Sequence, residues 1–307
     1  MKNTFAIRFL LLILGFGLPL ASSAIRIVSL SPSITYNLQQ MGADSCIVGR
    51  TSFCPLPQEG NSSEIVGNVL EVNLEKILAL RPDIVFCMVF TQAQVQERLR
   101  DLGIEVKDFR TPKSFDEICE QAVEIGRLAG METQAEALVE RERAEVDRIS
   151  RRFMANQGGA TENEIGLSGS ENGRKPKAAK ALNGARTFFQ IGSDPVFPVI
   201  EGTFMNQYLE FLGLDNIVKD YKGNGISQEY VVAAAPQIMF ISQMSGLGAK
   251  IAEDWKRFGN IPAVRDGHLF LVNDNEACCP TPLFFRKTLQ YMAQCLENIC
   301  SGQETGR

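Results

Sequence analysis

The chain has 307 residues, 45% hydrophobic and 22% charged, with a formal net charge of -5 at pH 7. That balance argues against fibrous and disordered classes, and an acidic chain without a basic run makes a poor nucleic-acid binder. The length suffices for one large or two medium cores.

Lys2 and Arg8 precede an apolar run from Phe9 to Leu20 that ends in Ser22-Ser23-Ala24, a small-x-small cleavage pattern. Residues 1–24 therefore read as a secretory signal peptide cleaved near Ala24, because the run falls short of the ~20 apolar residues that a membrane span needs. No cysteine precedes Cys46, so a lipoprotein cleavage site is not expected. Export would place Cys46, Cys54, Cys87, Cys119, Cys278, Cys279, Cys295 and Cys300 where disulfides persist. Their pairing is open, and free cysteine is also a common core residue.

From Arg26, Ile-Val-Ser-Leu reads as a short strand, followed by Ser31-Pro32-Ser33 and an apolar-periodic helix that stops at Gly42. A weaker strand at Ile47-Val48 and a turn-rich loop from Thr51 to Ser63 follow. Next comes Asn73-Leu-Glu-Lys-Ile-Leu-Ala-Leu-Arg-Pro-Asp-Ile-Val-Phe86, a capped helix, a stopping proline and a strand. A helix from Thr91 to Leu102 and a strand from Ile104 to Val106 lead to Ser114-Phe-Asp-Glu117, whose capping-box spacing opens a helix to Gly130. Alternating strands and helices of this size give a first α/β lobe over residues 25–130, with a mainly parallel sheet.

A second capping box, Thr133 to Glu136, opens the longest helical pattern, residues 131–154. Leu138, Val139, Val146, Ile149 and Phe153 form its apolar side, opposite a face dense in Glu and Arg. One modest stripe on a long helix suits a strut between lobes better than a core element. Residues 155–184 are rich in Gly, Asn, Ser, Ala and Lys and read as a mobile insertion.

The second lobe, residues 185–300, repeats the first. Ser227-Gln-Glu-Tyr-Val-Val-Ala-Ala-Ala-Pro-Gln-Ile-Met-Phe240 aligns without a gap on residues 73–86, and Leu209-Glu-Phe-Leu-Gly-Leu-Asp215 matches Leu38-Gln-Gln-Met-Gly-Ala-Asp44 in its Leu, Gly and Asp. A strand from Arg186 to Ile191, a helix around Ala252–Phe258 carrying Trp255, a strand from Leu269 to Val272 and a helix from Pro282 to Ile299 complete it, before a tail at 301–307. Trp255 is expected to pack rather than to stack on a ligand.

Enzyme signatures are scarce. The single histidine, His268, forbids a multi-histidine metal site and would have to serve any thiol-based catalysis at Cys54 or Cys278, yet it reads as a turn residue after Asp266-Gly267. Phosphate-loop and dinucleotide fingerprints are missing, so no catalytic residue, metal site or cofactor is assigned.

Arg26-Ile-Val-Ser-Leu-Ser-Pro-Ser-Ile-Thr35, Val48-Gly-Arg-Thr-Ser52, the 73–83 motif, Ile191-Gly-Ser-Asp194 and Ile261-Pro-Ala-Val-Arg-Asp-Gly267 together resemble the periplasmic binding proteins that deliver iron chelates and vitamin B12 to ABC importers. The resemblance covers residues 25–298. It implies two parallel-sheet lobes bridged by one long rigid helix, with cargo in the cleft between them. It also implies a periplasmic monomer that hands a corrinoid or ferric siderophore to a permease and its ATPase. In the vitamin B12 binder of this family one glutamate on each lobe docks onto basic permease residues, and these fall on Glu75 and Glu229. Pocket residues should follow the carboxyl ends of the strands, at Ser31, Phe53, Met88, Phe90, Arg110, Ser193, Asp194, Tyr221, Gln243 and Asn273. Phe53 stands where the B12 binder has an aromatic, and Arg110 could pair with a chelate's carboxylates.

The chain departs from the B12 pattern where the corrin-flanking tryptophans fall, near Val69 and Gly223, and where the family's Thr-Glu becomes Thr35-Tyr36. Haem therefore stays open beside corrinoid and siderophore, with a Tyr or His268 as the expected iron ligand. Two readings from other classes also stand, a cysteine-dependent enzyme on the same scaffold and a binding module without a permease.

Overall fold

The computed structural model describes residues 24–68, 71–89, 91, 93–158, 182–223, 225–242 and 247–302. The predicted signal peptide apart from Ala24, most of the predicted 155–184 insertion, Val69, Phe90 and Gln243 lie outside the described residues.

Lobe 1 holds a five-stranded parallel sheet: β1 (Ile27–Ser29), β2 (Ile47–Thr51), β3 (Glu64–Gly67), β4 (Ile84–Met88) and β5 (Glu105–Phe109), in the order β3-β2-β1-β4-β5. Around it lie α1 (Pro32–Gln40), α2 (Leu74–Ala79), α3 (Ala93–Asp101) and α4 (Phe115–Leu128). The strand β3 is not among the elements predicted from sequence and follows the turn-rich loop that ends at Ser63. Glu-Ile-Val-Gly is too short to show alternation, and it gains its extended form by pairing on β2 as the edge strand of the sheet.

Lobe 2 is built on β6 (Arg186–Gly192), with β9 (Ile238–Ser242) and β10 (Leu269–Val272) on one side, and β7 (Phe197–Pro198) and β8 (Asp215–Asn216) on the other. All of these pair in parallel except β7, which folds back antiparallel on β6. Its helices are α6 (Asn206–Phe211), α7 (Gln228–Ala234), α8 (Gly248–Lys256), α9 (Pro262–Arg265), α10 (Asp274–Ala277) and, closing the chain, α11 (Pro282–Ser301).

The internal repeat is visible in the backbone. Asn73 and Ser227 cap α2 and α7 by accepting from the amides of Lys76 (3.0 Å) and Tyr230 (3.3 Å). Arg81 and Ala235, at the same repeat position, both adopt positive φ (46° and 45°) just before Pro82 and Pro236. A residue before proline is pushed out of the right-handed helical region, which ends each helix there. The amides of Asp83 and Gln237 then donate to the carbonyls of Arg26 and Arg186, and each side chain accepts back from the amide of the same arginine. Gly42 and Gly213 (φ +81° and +61°) likewise end α1 and α6 in the left-handed region that favours glycine.

The long helix α5 (Glu132–Gly158) spans about 40 Å at 1.5 Å per residue. The Ala135 amide already bonds to the Met131 carbonyl, so Thr133 sits inside the first turn and is not a capping residue. The helix also runs four residues past the predicted end at 154. A larger difference concerns its role. The stripe Leu138, Val139, Val146, Ile149 and Phe153 belongs to a continuous core that takes Phe115, Ile118 and Cys119 from lobe 1 and Phe189, Tyr208, Phe240 and Phe285 from lobe 2. The strut is therefore a core element as well. Glu142, which the sequence places among the polar residues, lies buried on this side and pairs with Arg141 and Arg286.

Candidate functional site between the lobes

In both sheets the strand order reverses at the first strand of the lobe, β1 in one and β6 in the other, and the crevice outside the carboxyl ends at such a switch is where open α/β sheets bind ligands. The lobes meet beside the carboxyl ends of β1 and β10. Tyr36, on α1, sets its ring edge-on against Phe284 of α11 at 4.8 Å, and the Asn37 amide group donates to the Pro280 carbonyl at 3.5 Å.

On the lobe 1 side of this contact β1 runs into Ser-Leu-Ser-Pro, whose hydroxyls are buried and bonded among themselves. Ser31 Oγ lies 3.0 Å from Ser33 Oγ, and Thr35 Oγ1 donates to Ser29 Oγ (2.9 Å) and to the Ser31 carbonyl (3.0 Å), which ties α1 to the strand end. At the end of β2, Cys54 Sγ lies 3.1 Å from Thr51 Oγ1. The facing part of lobe 2 is the turn between α10 and α11, where Cys278 Sγ sits 3.8 Å from Ser242 Oγ. Burial pushes the Cys278 thiol up, and it pushes Cys279 up to about 12, with Cys278 and Cys54 adding to that shift. Burial first, then Cys279, Cys54 and Glu276, also raises the Tyr36 phenol, so this junction favours uncharged groups. All eight cysteines are free thiols.

The predicted ligand contacts do not fall in one pocket. Phe53 projects from the end of β2 with 66% of its surface exposed. Ser193 and Asp194 line a cavity of about 660 Å³ at the carboxyl end of β6 with Gln190, Lys250, Asp254 and Trp255. Trp255 is buried there and donates from its indole nitrogen to Gln190 Oε1 at 2.7 Å, the packing role expected of it. Arg110 lies in a separate groove of about 350 Å³ beside Glu117, Glu120 and Glu124. Tyr221 donates to the Gly225 carbonyl (2.5 Å) and lines a groove with Arg186, Asp215 and Tyr230, at the amino end of the sheet. Met88 and Ser31 are buried, and Asn273 caps α10 by accepting from the Asn275 amide at 3.0 Å. Tyr36, Cys279, Gln190 and Lys250 are not among the contacts predicted from sequence. Of these, Tyr36 alone had a signal, the departure at Thr35-Tyr36.

His268 precedes β10 and its Nδ1 lies 3.2 Å from the Gln237 carbonyl, while Cys278 follows the other end of that strand. Four strand residues separate the ends by about 13 Å. The base that a thiol enzyme would need thus stands at the wrong edge of the sheet, and so does a histidine iron ligand. Among the described residues, no three His, Cys, Asp or Glu side chains gather closely enough to hold a metal ion. Glu75 and Glu229 are exposed in the first turns of α2 and α7, and the amide of Glu229 together with the Ser227 hydroxyl holds the Glu229 carboxyl below the usual range.

The sequence profile of periplasmic binding proteins matches residues 27–276. The chain belongs to the periplasmic binding protein family. Among its relatives, an uncharacterized ABC transporter substrate-binding lipoprotein, YvrC of Bacillus subtilis (strain 168), is 26% identical over 253 residues, which cover 81% of this chain and 72% of that protein. A vitamin B12-binding protein of Yersinia pestis (strain Pestoides F) is 25% identical over 238 residues, 76% of this chain and 75% of that one. Two solved structures share the fold. A possible iron-binding, periplasmic solute-binding protein from Staphylococcus epidermidis ATCC 12228 has a TM-score of 0.70 at 23% identity, covering 88% of this chain and 98% of that chain. The periplasmic heme-binding protein BhuT, in complex with two hemes, has 0.71 at 16% identity, covering 90% and 98%. The α/β fold with a bridging helix thus agrees with the expectation from sequence.

Proposed function

We propose that this family member is the exported receptor of an ABC importer, capturing a metal chelate of the corrinoid or ferric siderophore class between its lobes and passing it to the permease. The observation that carries this reading is the contact between the lobes beside the carboxyl ends of β1 and β10, where Tyr36 meets Phe284 and Asn37 meets Pro280. Relatives named for ABC transport and for vitamin B12 support the same class. The alternative of a thiol enzyme loses its base at His268, as described above.

Two measurements test the reading. The visible spectrum of the protein purified from cells should show a coloured chelate, and a ligand at 100 times its Kd should add about 2.7 kcal/mol of stability in a thermal-shift series. Docking is tested separately. Glu75 and Glu229 occupy one repeat position on separate lobes, so their charges would let a permease with basic partners sense both lobes at once. Charge reversal of both, Glu75→Lys with Glu229→Lys, should abolish uptake in cells and leave ligand Kd unchanged. Normal uptake by that variant would remove the docking role from Glu75 and Glu229.

A further inference from the structure

The molecule has five tyrosines, and four of their hydroxyls are engaged. Tyr208 donates to the Ala277 carbonyl (3.3 Å), Tyr221 to Gly225 (2.5 Å) and Tyr230 to Ile217 (3.1 Å), and Tyr291 bonds with Cys295. The Tyr36 hydroxyl has no hydrogen-bond partner among the described residues, although its ring is half-buried where the lobes meet. Its position is fixed from several sides. Phe284 holds the ring edge-on, Thr35 ties the helix to β1, and Asn37 ties it to Pro280 of the other lobe. The polar neighbours are occupied elsewhere, Cys54 with Thr51 and Glu276 with Lys287 at 3.4 Å.

The hydroxyl still reaches solvent, since it is not one of the buried polar atoms that lack a partner, so a ligand oxygen there would take the place of water. We propose that Tyr36 is a specificity-determining residue of the inter-lobe site, donating a hydrogen bond to an amide, carboxylate or hydroxamate oxygen of the bound cargo. This deepens the receptor reading and rests on it. A neutral phenol is the state that its surroundings favour, since burial and the nearby thiols and Glu276 raise its pKa. The cargo is then recognised through the oxygen periphery of the chelate, and its metal needs no bond to the protein.

The test is calorimetric titration of the mature protein and of Tyr36→Phe with cyanocobalamin, ferrichrome and hemin. Phenylalanine keeps the ring against Phe284, so the unliganded Tm should not move. Whichever probe the native protein binds should bind the variant about three- to tenfold more weakly, the effect of one neutral hydrogen bond. Equal affinities would overturn the assignment while leaving the receptor reading intact. A hemin complex with a phenolate-to-iron charge-transfer band that Tyr36→Phe abolishes would also overturn it, because the residue would then be an iron ligand. If the native protein bound none of the three probes, the receptor reading and this assignment would fall together.

Discussion

Glu142 sits midway along α5 with 2% of its side chain exposed, accepting from Arg286 Nε and Arg141 Nε at 2.9 Å each. Both lone-pair sets are therefore matched by guanidinium donors, and the pair ties the bridging helix to the closing helix α11. Removing one partner of such a pair strands the other without its counter-charge, which typically costs 3–5 kcal/mol. Arg141 remains largely exposed and can return to water, so the low end applies, about 3 kcal/mol for Glu142→Ala. Replacing both partners by apolar residues, as Glu142→Leu with Arg286→Met, should cost far less, because no buried charge is left behind. Urea midpoints of the two variants decide this. Equal losses would mean that the side-chain volume, and not the charge pair, holds the helices together.

At the scale of elements, the repeated helix, proline and strand make a sharper prediction. Ala235 holds φ +45° at the end of α7, where an L residue with a Cβ costs roughly 1–2 kcal/mol relative to the right-handed region. Glycine relieves that strain and returns about 0.4–1 kcal/mol through the greater freedom of the unfolded chain. Ala235→Gly should therefore stabilise the protein by about 0.5–1 kcal/mol in chemical denaturation, and a lower midpoint would contradict this reading of the strain. The capped starts and the proline stops were legible in the sequence because each is written in one or two residues, and the same holds for β10, predicted and found at Leu269–Val272. Elements that depend on neighbours were not legible. The edge strand β3 and the antiparallel β7 exist by pairing, and the short helices α6, α9 and α10 are too brief for a periodic signal. The same division applies to the site. Strand ends could be read, so Ser193 and Phe53 were placed after the carboxyl ends of strands, but which side chain lacks a partner at the lobe junction depends on contacts between residues far apart, as Tyr36 and Phe284 are.

The whole molecule is governed by the core that crosses from one lobe to the other. Phe115 of α4 stacks on Phe285 of α11 at 4.5 Å, Tyr208 stacks on the far side of the same ring at 4.5 Å, and the Phe115 amide donates to Gln207 Oε1 at 2.6 Å. A wide hinge would pull these rings apart and expose an aromatic surface of about 150–250 Å² for each, at about 25 cal/mol per Å². Several kcal/mol per ring is more than a ligand gains by choosing one lobe arrangement over another unless it binds that arrangement thousands of times more tightly. The lobes should therefore close by small angles, and solution scattering profiles with and without cargo should nearly superimpose. Phe285→Ala supplies the contrast. It removes the shared ring at a cost of about 3–5 kcal/mol in stability and weakens the link between α4 and α11, so cargo should compact that variant more than the native chain. Large compaction of the native protein on binding would show that the aromatic core does not limit the motion.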